Sequence, residues 1–324
     1  MKPFESFLSR QLDEYITYRQ GLGYNTMPTR YHLLVFDQYL MQSKADWDSL
    51  QPAFFLEMRS TLPLEPASAN NALIAIRGFF NFLMRRDKIT RNPLEDIPPL
   101  RENIVVPFVF SPLQIEQLLK TCCRRIRKNN ACFLTDMAIY LALTLMARCG
   151  LRISEPVRLL KHNYRPDEAT IYIEKTKFKK DRLIPLPKSI ITQIENYISA
   201  RKIIRPCDNN PYLLAGRRDK PLSATVVKNA LHSAVRDMGL SQPRRMLGNV
   251  NFNPPRSHSL RHSFAVNTLL KIKQRGESAQ YALPILAAYM GHSDYKHTAV
   301  YLKVADAASR KDLVDFTLWQ KRKR

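Results

Sequence analysis

The residues best equipped for chemistry cluster in the last third of the chain. His258-Ser-Leu-Arg261-His262 is followed by Gly291-His292 and then by Tyr301. An arginine offers a planar fork of donors that matches phosphate oxygens, and an imidazole can donate to the same oxygens. A tyrosine can become a covalent nucleophile when its neighbours stabilise the developing charge. Together these groups suit an attack on a phosphodiester. His258 and Arg261 are three residues apart and share a helical face, with His262 one turn beyond His258.

Two upstream clusters can supply further donors. Gly150-Leu-Arg152-Ile-Ser-Glu155 reads as the start of a helix after a glycine break. An arginine in a first helical turn can meet a phosphate drawn to the helix N-terminus, and Glu155 can buttress it. The pair equally has the spacing of an ordinary surface ion pair. The segment Lys175-Thr-Lys177-Phe-Lys179-Lys180-Asp181 joins two β-type runs at 169–173 and 182–186, which predicts a hairpin with a cationic tip. A lysine on such a loop can protonate a leaving alkoxide. The local chemistry does not choose among Lys175, Lys177 and Lys179.

A polyanionic partner is implied by charge. The 324 residues carry a formal net charge of +23. Residues 1–100 hold 11 Lys+Arg and 11 Asp+Glu, so the whole excess lies in the part that carries the histidines and Tyr301. That distribution predicts nucleic-acid binding that weakens steeply with salt. The five cysteines are odd in number and form no CxxC pair, which argues against zinc and against a disulfide framework. The N-terminus shows no apolar signal segment and no run of about 18 apolar residues appears, so a soluble, cytoplasmic, nucleoid-associated protein without membrane contact is expected.

Positioning these groups falls to a mainly helical scaffold. Helical spacing of apolar residues marks 4–20, 28–42, 48–60 and a segment from Ser68 through Leu83, with Gly21-Leu-Gly23 as a turn. Residues 1–100 therefore read as an all-helical domain, 101–110 as a linker without helical period, and 111–324 as a catalytic domain with a C-terminal tail. Ser111-Pro112-Leu-Gln114 has the form of a capped helix start, and a long apolar helix over 131–148 ends at Gly150. Beyond the hairpin, helices are expected at 187–202, 223–238, 259–272, 282–290, 294–302 and 306–319. The fold class is mainly α with a small β element.

The motifs in order resemble the tyrosine recombinases, the phage-integrase family. The resemblance rests on Gly-Leu-Arg152-Ile-Ser-Glu155, the hairpin ending Asp181-Arg182-Leu-Ile-Pro-Leu186, His258-x-Leu-Arg261-His-Ser-Phe-Ala, Met-Gly291-His292-Ser, and Tyr301 nine residues later. The N-terminal part agrees: Gly21-Leu-Gly-Tyr-Asn-Thr26, the segment 71–80 with Arg77, and Arg91-Asn-Pro93 look like that family's helical, SAM-like core-binding domain.

The resemblance implies a C-shaped clamp on DNA and a catalytic set. Tyr301 would form a 3′-phosphotyrosyl bond, Arg152 and Arg261 would clamp the non-bridging oxygens, and His258 and His292 would add hydrogen bonds or handle protons. Lys177 best matches the hairpin lysine, and Glu155 would support Arg152 and His258. Neither metal nor cofactor is implied. Strand exchange would pass through a Holliday junction in a homotetramer assembled from free monomers on double-stranded DNA, in integration, excision or resolution of a mobile element, with accessory or directionality proteins possible. The helix at 223–238, with Ser223, Thr225 and Lys228, resembles the family's major-groove element. Arg77, Lys175, Lys179, Arg244, Arg245 and Arg256 are further candidate DNA contacts. The segment 313–319 is apolar enough to dock in cis or on a neighbouring protomer.

Two departures stand out. The connection 271–280 between Arg261 and His292 is longer than the family pattern, and Arg148 precedes Gly-Leu-Arg where small residues are usual, with solvent as its expected environment. A type IB topoisomerase and a catalytically silent DNA-binding accessory factor are the alternatives that share the charge or the chemistry.

Overall fold

The structure, a computed structural model, describes residues 2–174, 181–216, 220–292, 298, 299, 301 and 302. The chain divides into two compact units, Met1–Ile104 and Val105–Arg324.

The first unit is built from helices α1 (Ser9–Gly21), α2 (Met27–Ser43), α3 (Pro52–Thr61) and α4 (Pro66–Met84). Helix α4 lays Phe79 and Phe80 into the centre, where Phe36 and Phe55 meet Phe80 edge-on at 6.2 and 5.5 Å and Phe79 meets it edge-on at 5.3 Å. Gly78 is required at a close crossing, because a Cβ there would lie 2.6 Å from the Tyr15 hydroxyl. The buried Asp37 carboxylate accepts from the amides of Glu5 (2.9 Å) and Ser6 (3.0 Å), tying the first residues to α2. Arg77 Nε and Nη2 donate to the carbonyls of Leu94 (3.1 Å) and Ile97 (2.8 Å), so it clasps the segment after α4.

The stretch read as a linker is partly structured. Strand β1 (Ile104–Val106) edges a three-stranded sheet of order β1-β6-β5, and Phe110 is fully buried in the core of the second unit. Helix α5 (Pro112–Arg124) opens with the expected reciprocal cap: Ser111 Oγ accepts from the Gln114 amide and Gln114 Oε1 from the Ser111 amide. Helix α6 (Asn130–Arg148) has the length and mean hydropathy to cross a membrane. Its apolar side chains instead fill the core of this unit, where α5, α7, α8 and α9 pack around it.

Strands β2 (Tyr164–Arg165), β3 (Thr170–Ile173) and β4 (Arg182–Pro185) form an antiparallel sheet in which Ile173 faces Arg182 and Thr170 faces Pro185. The hairpin is as expected; its tip, with Lys175, Lys177 and Lys179, lies outside the described residues. Helices α7 (Lys188–Ile204) and α8 (Ala224–Asp237) follow, then strands β5 (Arg245–Leu247) and β6 (Val250–Phe252), and helices α9 (Ser257–Gln274) and α10 (Ala279–Met290). Arg201 on α7 is buried, giving its guanidinium to the carbonyls of Asn210, Tyr212 and Leu213 and to Asp208, which fixes the segment that follows the helix.

The expected helix after Gly150 is absent. Residues 151–155 turn, and only Pro156–Arg158 forms a short 3-10 helix. Pro156 lacks the amide that a helix begun here would give to the Arg152 carbonyl. That carbonyl takes the Glu155 amide instead at 2.8 Å in a tighter turn, while the Glu155 carboxylate accepts from the Arg152 amide at 2.8 Å. The long connection before His292 is absorbed by extending α9 to Gln274, a turn through Gly276 at φ +81°, and an early start of α10. The C-terminal segments expected as helix at 306–319 lie outside the described residues.

Candidate active site

The candidate site gathers at the C-terminal end of α10. Helix ends leave carbonyls unpaired and carry partial negative charge, so cations collect there. Three arginines occupy this one. Arg182 Nε donates to the Tyr289 carbonyl (2.9 Å), Arg261 Nη2 to the Met290 carbonyl, and Arg152 Nη2 to the Gly291 carbonyl (3.3 Å). Gly291 ends the helix at φ +64°, and the amides of Gly291 and His292 fold back onto the carbonyls of Ala288 and Ala287.

Arg261 is 1% exposed. Its other Nη donates to the Gly150 carbonyl (2.7 Å), so one guanidinium ties the end of α6 to the end of α10. Its Nε is buried without a partner among the described residues. Burial, then the charge of Arg152, lowers its pKa to about 10, which leaves it cationic at neutral pH. Gly150, at φ +63°, is where a Cβ would lie 2.5 Å from the Phe264 ring; that ring stacks on Tyr289 at 5.4 Å.

Glu155 holds two arginines at once. Oε1 accepts from Arg152 Nη1 (3.0 Å), and Oε2 accepts from Arg182 Nη2 (2.9 Å) and the Arg152 amide. Burial pushes its carboxyl up, but the hydrogen bond and charge of Arg182, with the Arg152 amide and Arg261, outweigh that and hold it below the ordinary range. The buttress to Arg152 is thus present. For His258, Glu155 acts only through its field, against burial and the charges of Arg261 and Arg152, which hold that imidazole below its usual value.

Tyr301 is 3% exposed, and its hydroxyl lies 3.1 Å from His262 Nδ1. The His262 ring sits against His258 at 4.5 Å, and the His292 ring lies 6.2 Å from the phenol ring, with His292 Nδ1 2.7 Å from Thr298 Oγ1. Burial raises the Tyr301 pKa, with Arg261 and Arg152 opposing it. His262 is pushed down to about 3 by burial and by the neighbouring His258, Arg261 and His292. It is therefore neutral at physiological pH.

The structure brings Arg152, Glu155, His258, Arg261, His292 and Tyr301 together, as their motifs led one to expect. It adds Arg182 and His262, for which sequence reasoning gave no role; the only signal was the one-turn spacing of His262 from His258. Arg148 is exposed but paired with Glu116 at 2.7 Å. Among the described residues, three guanidinium groups face the single carboxylate of Glu155, an excess of buried positive charge that an anion would relieve. No group of three His, Cys, Asp or Glu side chains able to hold a metal occurs among the described residues.

A second surface carries the basic candidates. Lys228 and Arg236 are exposed on α8, and Arg244, Arg245 and Arg256 on the segment running from β5 to the start of α9. Ser223 and Thr225 are exposed at the α8 N-terminus. Burial, then the charges of Lys228, Arg236 and Arg256, lowers the pKa of His232, which places these cations around one helix.

The chain is similar to known proteins in sequence and in fold. The chain is 27% identical to a putative integrase/recombinase of Sinorhizobium fredii over 93% of both chains. It is 30% identical to a tyrosine recombinase of Pseudothermotoga lettingae, covering 75% of this chain and 72% of the other. Its fold is similar to a lambda integrase tetramer bound to a Holliday junction, with TM-score 0.63 and 15% identity over 89% of this chain and 77% of that one. Residues 109–308 match the phage integrase family, and the chain belongs to that family as a tyrosine-type site-specific recombinase.

Proposed function

We propose that the protein cuts and rejoins double-stranded DNA through a 3′-phosphotyrosyl bond made by Tyr301. One observation carries this reading: a buried phenol, hydrogen-bonded to an imidazole, stands beside an arginine cluster that is short of an anion. The phenol oxygen attacks the scissile phosphorus and the bond to O5′ breaks. The phenolic proton passes to a neighbouring base, and His262 Nδ1 is the nearest such atom. The departing O5′ takes a proton from Lys177 on the hairpin. Arg152 and Arg261 hold the non-bridging oxygens, where charge builds in the transition state, and His258 and His292 donate to the same oxygens.

One phosphodiester is exchanged for another, so rejoining is the reverse attack by a 5′-hydroxyl and requires neither ATP nor metal. Two rounds of exchange between partner duplexes pass through a Holliday junction. The reaction serves integration, excision or resolution of a mobile element in the cytoplasm; a relative named putative integrase/recombinase supports the recombination part of that reading. The exposed face of α8 with Ser223, Thr225 and Lys228 reads the duplex, and Arg244, Arg245 and Arg256 hold phosphate. The protein is a monomer when free and a homotetramer in synapsis. Two features support that assembly: the tetrameric lambda integrase of similar fold, and an apolar groove of about 780 Å³ beside exposed Tyr281 and Ile285, which would receive the apolar segment 313–319 of a second copy.

The test is to incubate the full chain with nicked duplexes of randomised core sequence and to sequence the DNA left covalently attached. Wild-type protein should yield adducts on one family of sites. Tyr301→Phe should bind DNA and yield none; adducts persisting in that variant would remove Tyr301 from its role.

A further inference from the structure

We propose that Arg182 is a positioning residue for cleavage: it fixes the Glu155 carboxylate, and through it Arg152, in the frame of the α10 C-terminus. The inference rests on the cleavage reading and adds a residue that need not touch DNA.

Arg182 opens β4, immediately after the hairpin tip. Its side chain is 8% exposed, and it makes two directional bonds from one guanidinium, to the Tyr289 carbonyl and to Glu155 Oε2, both at 2.9 Å. Nη1 is buried with no partner among the described residues and packs against Gly291, where a Cβ would come within 3.2 Å. The contacts close a ring that runs from Arg182 to Glu155, to Arg152, to the Gly291 carbonyl, and back through the end of α10 to Tyr289. The ring locks together three segments distant in sequence: the 152–155 turn, the base of the hairpin, and the helix end that precedes His292.

Without Arg182, Oε2 of Glu155 keeps only the Arg152 amide, and the carboxylate can rotate and take the Arg152 guanidinium with it. A displacement of about 1 Å in a group that orients the reacting centre can cost ~100-fold in rate. A lysine cannot replace both bonds, because its ammonium lacks the planar fork. Replacing one member of a buried ion pair with an apolar side chain need not unfold the protein when the remaining charge keeps a partner, as Glu155 keeps Arg152. Position is thereby separable from stability.

The electrostatics give an independent readout. Glu155 is faced by Arg152 from its own turn, by Arg182 from β4, and by Arg261 and His258 from α9. Burial pushes its carboxyl up and Arg182 is the foremost influence holding it down. Removing Arg182 raises it, so the fall in rate on acidification begins at higher pH than in the wild type.

The experiment measures single-turnover adduct formation across a pH series, DNA affinity and thermal midpoint. It uses the duplex recovered from wild-type adducts and compares Arg182→Met, Arg182→Lys, Glu155→Gln and the double variant Arg182→Met/Glu155→Gln. Arg182→Met is expected to slow cleavage ~100-fold with affinity within about threefold of wild type, and to move the acid limb upward. Arg182→Lys should recover only part of the rate. In the Glu155→Gln background, Arg182→Met should add less than about threefold, because the residues act through one carboxylate. Losses that multiply in the double variant, an unmoved acid limb, or rate and affinity falling together would each overturn the inference. If Arg182→Met melts below the assay temperature, Arg182→Gln carries the same comparison. A wild-type protein that forms no adduct would overturn the cleavage reading and this inference with it, whereas adducts with additive losses overturn the inference alone.

Discussion

The Tyr301 hydroxyl lies 3.1 Å from His262 Nδ1, and the two rings meet at 5.5 Å with their planes tilted by 60°. Burial and the neighbouring His258, Arg261 and His292 hold the His262 pKa at about 3, so the ring is uncharged at neutral pH, and the negative charge of a bound phosphate would strengthen it as the acceptor of the phenolic proton. Removal of a general base in such a position costs about 10²–10⁴ in rate. His262→Gln should reduce adduct formation by that order with DNA affinity unchanged, measured by single-turnover cleavage and by titration of labelled duplex. A loss of less than about tenfold would exclude proton transfer through this ring.

The same depressed imidazole has a consequence for stability. The unfolded histidine titrates near 6.5 and the folded one near 3, so between those values the unfolded state binds more protons. Stability is then complete above about pH 6.5 and is lost as pH falls toward 3. His258 and His232 are also held low and add to the slope. His262→Gln should flatten the fall of the thermal midpoint with acidification without abolishing it. An identical slope in the variant would contradict the assignment.

Arg77 should matter to folding and not to DNA. Its two bonds hold carbonyls of Leu94 and Ile97, and leaving such groups unpaired costs about 1–3 kcal/mol. Arg77→Ala should lower the thermal midpoint of the first unit while the salt dependence of DNA binding stays as in wild type. A salt slope reduced by about one would make Arg77 a phosphate contact as well.

What the sequence made legible, and what it hid, divides along physical lines. Arg152, Glu155, His258, Arg261, His292 and Tyr301 sit in short motifs whose order resembles a known family, so they could be nominated as a set before any fold was known, although the residues around Arg152 and Tyr301 alone left a surface ion pair and core packing open. Arg182 and His262 acquire their roles from contacts across more than 25 residues of sequence, with Glu155, Tyr289 and Tyr301, and no local pattern encodes those. The clasp made by Arg77 was hidden because an arginine on an amphipathic helix looks the same whether it meets solvent or a returning carbonyl. The helix expected after Gly150 failed because Pro156 has no amide for the Arg152 carbonyl, which the Glu155 amide takes in a tighter turn. The β5–β6 hairpin escaped because β5 is exposed along its whole length and lacks the alternation that marks a half-buried strand.

The basic surface should be countable by salt titration. Each phosphate neutralised by a lysine or arginine contributes about 0.9 to the slope of log affinity against log salt. Single substitutions Lys228→Gln, Arg244→Gln, Arg245→Gln and Arg256→Gln should each lower the slope by about that amount and weaken binding to unrelated duplexes equally. A variant that keeps the full slope has no phosphate contact at that residue.

Gly150 offers the sharpest test of how the site is held. Its φ of +63° costs an L-residue about 1–2 kcal/mol, and a Cβ would also strike three carbons of the Phe264 ring within 3.0 Å. Phe264 stacks on Tyr289, whose carbonyl receives Arg182, and the Gly150 carbonyl receives Arg261. Gly150→Ala should therefore disturb both ends of the arginine cluster, lowering the thermal midpoint and cutting adduct formation by more than the backbone cost alone. Phe264→Leu, which vacates the space the new methyl needs, should restore part of the activity to Gly150→Ala although it is itself destabilising as a single change. If the double variant is no better than Gly150→Ala, the loss comes from backbone strain and the Phe264 contact plays no part in holding the arginines.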